Sequence, residues 1–259
     1  MTSFPLSRSH SLASQDPRLL VIERRLSKVQ RILAVTGGKG GIGKSMVAST
    51  LALILRETGH RVGLLDLDFT GPCDHTVLGI EGLFPEEHFG LVPPEAHGIR
   101  FMSITYFVGA DPAPLRGADL SNALVELLSI TQWGTLDVLV IDMPPGLGDA
   151  TLDAVRLMDR AEFLVVATQS RVVIETVRRT LQFLTQVQAD VLGVVENMGR
   201  GTTQVVEHLA AECRVPFLGV LPFDETLEEV VGDPRRLGRT PFAAALRDVS
   251  KTLFCPSVV

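Results

Sequence analysis

Residues 37–45 read GGKGGIGKS, placing five glycines and two lysines in nine positions directly behind the apolar run RILAVT at 31–36. Ordering such a stretch is costly, because each glycine loses more backbone freedom on folding than any other residue. Something has to offset that cost. The flanks narrow the choice: RILAVT reads as a buried strand, and residues 44–58 have the length and spacing of a helix.

The surrounding chain has the same alternation. RVGLLD (61–66), LDVLVID (136–142), EFLVVAT (162–168), DVLGVV (190–195) and VPFLGVL (215–221) are short, near-continuously apolar runs, with IRFMSI (99–104) a weaker one. Continuous apolarity is what strands of a parallel sheet covered on both faces require. Between them, 118–132, 149–159, 173–188 and 203–213 are helix-compatible; Ile174, Val177, Leu181 and Leu184 form one apolar stripe. The expectation is an α/β fold, a doubly wound and mostly parallel sheet with helices on both faces. One domain over 30–254 is expected, with a flexible N-terminal tail at 1–29 and a short tail at 255–259. Residues 80–98 form the longest irregular stretch.

Composition limits the function. The chain has 259 residues, 46% hydrophobic, with one Trp and one Tyr, and a formal charge of −6. An acidic chain without aromatic platforms argues against broad nucleic-acid binding. No apolar run approaches the length of a membrane span. The N-terminus lacks the apolar middle of a secretory signal, and Cys73, Cys213 and Cys255 form no CxxC pair. A cytoplasmic location is expected, with neither nucleic acid nor membrane as partner.

Gly38-x-x-x-x-Gly43-Lys44-Ser45 satisfies the phosphate-loop pattern in its required setting, between strand and helix. Glycines let successive backbone N–H groups close around phosphate oxygens, and the helix aims its positive end at the same anion. Lys44 then spans the β- and γ-phosphates, and the Ser45 hydroxyl binds Mg²⁺. Two carboxylate runs fit this reading. LLDLDFTGP places Asp66 and Asp68 on one side of an extended chain, and LVIDMPPG places Asp142 at the carboxyl edge where open α/β sheets bind ligands. The plainer role for each is to cap a following helix.

KGGIGKS resembles the deviant Walker A of the MinD/ParA superfamily, whose early lysine, here Lys39, reaches a nucleotide bound by a partner subunit. From about residue 30 to 250 the chain is similar to Mrp/ApbC iron–sulfur carrier ATPases. DLDFTGP, Arg116–Gly117, WGTLDVLVIDMPPGLGDATL (133–152), VLGVVENM (191–198) and VPFLGVLPFD (215–224) fall in family order. The resemblance implies an ATP-hydrolysing, Mg²⁺-dependent dimer, with itself or a related ATPase, serving a client metalloprotein. It implies nucleotide contacts from Gly38, Lys39, Gly40, Gly41, Ile42, Gly43, Lys44, Ser45 and Met46. It implies further that Asn197 bonds adenine, that Pro222, Phe223 and Asp224 flank the base, and that Asp68, Lys39 and Lys44 act in hydrolysis. Mg²⁺ falls to Ser45, Asp66 and Asp142, partly through water.

One departure bears on the cargo. In Mrp-type carriers a short insertion bearing CxxC follows Glu-Asn-Met; here GRGTTQVVEHLA follows, without either cysteine. Thiolates are the usual cluster ligands, so a bridging iron–sulfur cluster is not available at that place. Cys73, beside Asp74 and His75, is the one alternative candidate near the nucleotide. Two other functions stay open: a nucleotide-gated adaptor for a cysteine-bearing homologue, and a MinD/ParA-like positioning ATPase. The latter would use Arg171, Arg178 and Arg179 as a DNA patch, or 241–254 as a membrane-binding helix.

Overall fold

A computed structural model describes residues 16–108, 117–201 and 204–254. Arg116, Cys255 and the first fifteen residues lie outside them. In chain order the elements are α1 (Pro17–Leu26), β1 (Val29–Gly37), α2 (Lys44–Glu57), β2 (Val62–Asp66), α3 (Asp74–Leu78), β3 (Glu86–Glu87), β4 (Leu91–Val92) and β5 (Glu95–Ala96). There follow β6 (Ile99–Ser103), α4 (Thr105–Val108), α5 (Ala118–Ile130), β7 (Leu136–Asp142), α6 (Asp149–Leu157), β8 (Ala161–Ala167) and α7 (Arg171–Gln186). The chain continues through β9 (Asp190–Gly199), α8 (Val205–Cys213), β10 (Phe217–Pro222), α9 (Leu227–Val230), α10 (Pro234–Leu237) and α11 (Pro241–Phe254).

Eight strands form one sheet in the order β10-β9-β8-β1-β7-β2-β6-β5, parallel except for β5 against β6. The chain leaves β1 through α2 and crosses β7 to reach β2, whereas α6 carries it from β7 across β1 to β8. Right-handed crossovers in opposite directions put their helices on opposite faces. The order reverses at β1, so a crevice opens above its carboxyl end, the switch point where such sheets bind ligands. Central strands buried on both sides explain the unbroken apolar runs: Leu33, Ala34, Val35, Leu139, Val140 and Leu164 have no exposed surface.

Part of the segment expected to be a flexible tail is an ordered helix. Asp16 caps α1 by accepting from Arg18 N, Pro17 stands at its start, and Ile22 and Leu26 are buried against the core. Pro17 suits a first helical turn because the N–H it lacks is unpaired there anyway. The apolar face of 241–254 is also committed. In α11, Phe242, Leu246, Val249 and Leu253 are buried, and the helix packs on β10 and α2, so the helix closes the fold and has no apolar face left for a membrane. Among the described residues, no helix is long and apolar enough to cross a membrane.

Candidate nucleotide and metal site

The loop from Gly37 to Gly43 joins β1 to α2 at the switch point. Three of its glycines stand there for different reasons. A Cβ at Gly38 would overlap Thr176 Oγ1 and sit 2.6 Å from the Val177 backbone nitrogen, so α7 leaves it no room. Gly43 has φ +84° and lies against Asn197 Nδ2; a side chain there would be strained and obstructed. A Cβ at Gly40 would meet no protein atom within 4 Å, and its φ is not left-handed. No packing contact demands glycine at Gly40, and the position leaves the loop backbone open to close approach by a ligand.

At the start of α2, Lys44 is only 5% exposed and forms no salt bridge among the described residues. Its stem is buried, and its charge helps to lower the neighbouring Asp142 carboxyl. A glycine loop ahead of a lysine at a helix start is a setting that fits a polyphosphate. Ile42 is buried under the loop and Met46 packs partly on the core. Lys39 is exposed and unpaired among the described residues, which leaves it free to reach outward.

Strand register builds the acidic half of the site. Asp66 and Asp142 are opposite one another in the parallel β2–β7 pair, so their side chains leave the same face about 4.8 Å apart. Ser45 Oγ donates to Asp142 Oδ2, and both carboxylates are fully buried. Burial, with the Asp142 charge next, pushes Asp66 up to about 7. Burial likewise raises Asp142 to about 6, against the lowering effect of Ser45 and Lys44. Asp68 sits just outside, half-buried; its Oδ1 accepts from Thr70 N (3.1 Å), Thr70 Oγ1 (2.6 Å) and Gly71 N (3.1 Å). A hard, oxygen-seeking cation such as Mg²⁺ fits this donor set of hydroxyl and carboxylates.

Sequence reading missed a third buried carboxylate. Asp74, the first residue of α3, is fully buried, and one oxygen each of Asp66, Asp74 and Asp142 lies within 4.8 Å of the others. Burial and then the two neighbouring charges push its carboxyl well above the ordinary range. The sequence grouped Asp74 with Cys73 and His75 as a metal trio; the fold instead turns Asp74 inward to the aspartates. Cys73 is half-buried, with its thiol pushed up to about 11 by burial. The only signal for this placement is a short return loop, Phe69–Cys73, behind the Asp-x-Asp run.

The far side of the loop is held by residues expected at the base. Asn197 Nδ2 donates to the Ile42 carbonyl at 2.8 Å, so β9 braces the loop from beneath. Phe223 is exposed beside Pro222, and the Arg200 guanidinium lies 3.6 Å above its ring. Asp224 is occupied: Oδ1 accepts from Thr226 N and Oγ1, and Oδ2 from Phe242 N, which ties β10 to α11. Of the arginines considered as a DNA patch, Arg178 is accompanied by Glu212 and Glu175 and Arg179 by Glu175, whereas Arg171 has no ion pair among the described residues.

Known proteins resemble this chain in sequence and in fold. The ParA profile described as NUBPL iron-transfer P-loop NTPase matches residues 28–250. The chain belongs to that family. Among curated members, the iron-sulfur cluster carrier protein of Pseudomonas fragi is 43% identical over 178 residues, covering 67% of this chain and 62% of the relative. The carrier of Escherichia coli K12 is 35% identical over 228 residues, 86% of this chain and 59% of its own. The carrier of Aquifex aeolicus is matched over 51% of its length, so the chain spans roughly half to two thirds of these relatives. Among solved structures, a nucleotide-binding protein of Archaeoglobus fulgidus in complex with ADP superposes with a TM-score of 0.70 at 30% identity, over 85% of this chain and 92% of that one. MinD of Pyrococcus horikoshii with Mg-ADP shares the fold at 18% identity and a TM-score of 0.66, over 87% and 96%.

Proposed function

We propose that this family member is a Mg²⁺-dependent ATPase that switches between association states and assists iron–sulfur or metalloprotein maturation in the cytoplasm. The observation that carries the reading is Lys44, a mostly buried lysine without a salt bridge among the described residues, set at the start of α2 behind a loop that is open at Gly40. Loop N–H groups and Lys44 hold the β- and γ-phosphates, while Ser45, Asp66 and Asp142 hold the cation that screens them. Asp68, at the rim, orients the attacking water, and Lys39 from a second protomer neutralises charge on the transferring group. The partner is a second copy or a related ATPase. Asn197 both braces the loop and faces adenine, beside Pro222 and Phe223.

Cargo is where the chain departs from the carriers it resembles. No cysteine occurs between Cys73 and Cys213, and both described cysteines stand alone. The maturation role therefore runs through nucleotide-gated binding of a client or a cysteine-bearing homologue, without a cluster bridged after Met198. The test is anaerobic purification followed by ATP titration, mass measurement with and without ATP, and iron analysis. ATP affinity, an ATP-dependent mass change and iron-free protein are expected. No nucleotide affinity and an unchanged mass would overturn the reading.

A further inference from the structure

Nucleotide sites commonly hold Mg²⁺ with one or two carboxylates and leave the remaining positions to substrate phosphates and water. This site has a third. Asp74 Oδ1 accepts from Ser49 Oγ of α2 at 2.7 Å, and its backbone N–H donates to Asp66 Oδ2 at 3.3 Å. Its other oxygen, Oδ2, is buried without any partner, as is Asp142 Oδ1. Two orphaned carboxylate oxygens in one fully buried cluster are a serious cost, because a buried charge is normally paired or bound to a metal. Packing alone gives no reason for them: Ser49 satisfies one oxygen of Asp74 and leaves the other bare.

We propose that Asp74 is a third carboxylate of the metal site, which lets the protein hold Mg²⁺ or Mn²⁺ before any nucleotide arrives. This rests on placing the metal at Ser45, Asp66 and Asp142, as above. Three carboxylates, all oxygen donors, favour a hard divalent cation over zinc or iron–sulfur chemistry. The short helix α3 is thereby tied to the phosphate loop: the cation joins Asp74 of α3 to Asp66 of β2 and Asp142 of β7. Nucleotide then enters a site already charged with its cation, and the phosphates find a positive centre beside Lys44.

Titration of nucleotide-free protein with Mn²⁺, read by the resonance of free Mn²⁺ and by calorimetry, tests this directly. One saturable ion per chain is expected, with affinity weakened about tenfold or more in Asp74→Asn. That variant keeps the shape of the side chain while removing a charge. Ser49→Ala, which keeps the carboxylate but removes the hydrogen bond that orients it, is expected to weaken Mn²⁺ binding by less than Asp74→Asn does. Absence of saturable Mn²⁺ binding by wild-type protein overturns the inference without need of any variant; so does unchanged affinity in Asp74→Asn. ADP titration in chelator on the same samples separates the two readings. Protein that binds ADP but not Mn²⁺ loses this inference alone, whereas protein that binds neither loses the nucleotide site as well.

Discussion

Gly38 and Gly40 are two residues apart in one loop, yet only one of them is a packing requirement. Alanine at Gly38 would press on Thr176 and the backbone of α7, which must shift to admit it. Overpacking of that kind costs about 1–3 kcal/mol, so Gly38→Ala is expected to lower the denaturant midpoint measurably. Gly40→Ala meets no protein atom, and its stability is expected to stay within about 0.5 kcal/mol of wild type. Its ADP affinity should nonetheless fall, because the added methyl group occupies space meant for phosphate. Chemical denaturation and calorimetry on the pair decide the point; equal ADP affinity in wild type and Gly40→Ala would mean the loop is not a phosphate cradle. Lys44→Ala removes the loop's nearest cation, and truncating one partner of a desolvated charge pair, as the lysine and a bound phosphate would form, costs about 2–5 kcal/mol. ADP binding by that variant is expected to weaken accordingly.

Elements were legible in the sequence wherever both faces of a strand or one stripe of a helix had to be apolar. RILAVT, LDVLVID and EFLVVAT lie inside β1, β7 and β8 almost to the residue, because central parallel strands tolerate no polar face. Helix α7 buries Val177, Leu181 and Leu184 as its spacing indicates. The phosphate loop was legible for a related reason, since its chemistry depends on local order along the chain. What escaped reading depends on contacts distant in sequence. Helix α1 carries three arginines and buries only Ile22 and Leu26, with Leu19 partly covered, too sparse a stripe to announce itself. Asp74 looks like part of a surface turn until α3 swings it against β2 and β7. Asn197 meets Ile42 only because β9 passes beneath the loop. Helix α11 gives this scale its test: Leu246 is fully buried between β10 and α2, so Leu246→Ala is expected to cost about 2–5 kcal/mol. Vesicle binding should be unaffected by it, since that face of the helix is already covered.

At the scale of the whole molecule, the site is complete in every respect but one. Phosphate loop, Lys44 and aspartates converge at one edge of the sheet, yet Lys39 is exposed and without an ion pair among the described residues. Lysine is a flexible, strongly hydrated point charge, and an exposed one contributes little within its own chain. Its value rises if a second protomer brings it to the first protomer's γ-phosphate, where water is excluded and a cation acts on the charge developing in the transition state. Association then depends on ATP, because the phosphate is what the lysine grips, and hydrolysis releases the grip. Lys39→Ala should therefore bind ATP about as wild type does, since Lys44 and the loop N–H groups remain. Its turnover is expected to fall by about a thousandfold if the lysine acts as an arginine finger does, and light scattering should show it failing to associate in ATP. Asp68→Asn separates the two functions, still associating in ATP but hydrolysing slowly. A Lys39→Ala protein that turns over and associates like wild type would confine the whole reaction to a single chain, and the exposed lysine would be an ordinary surface residue.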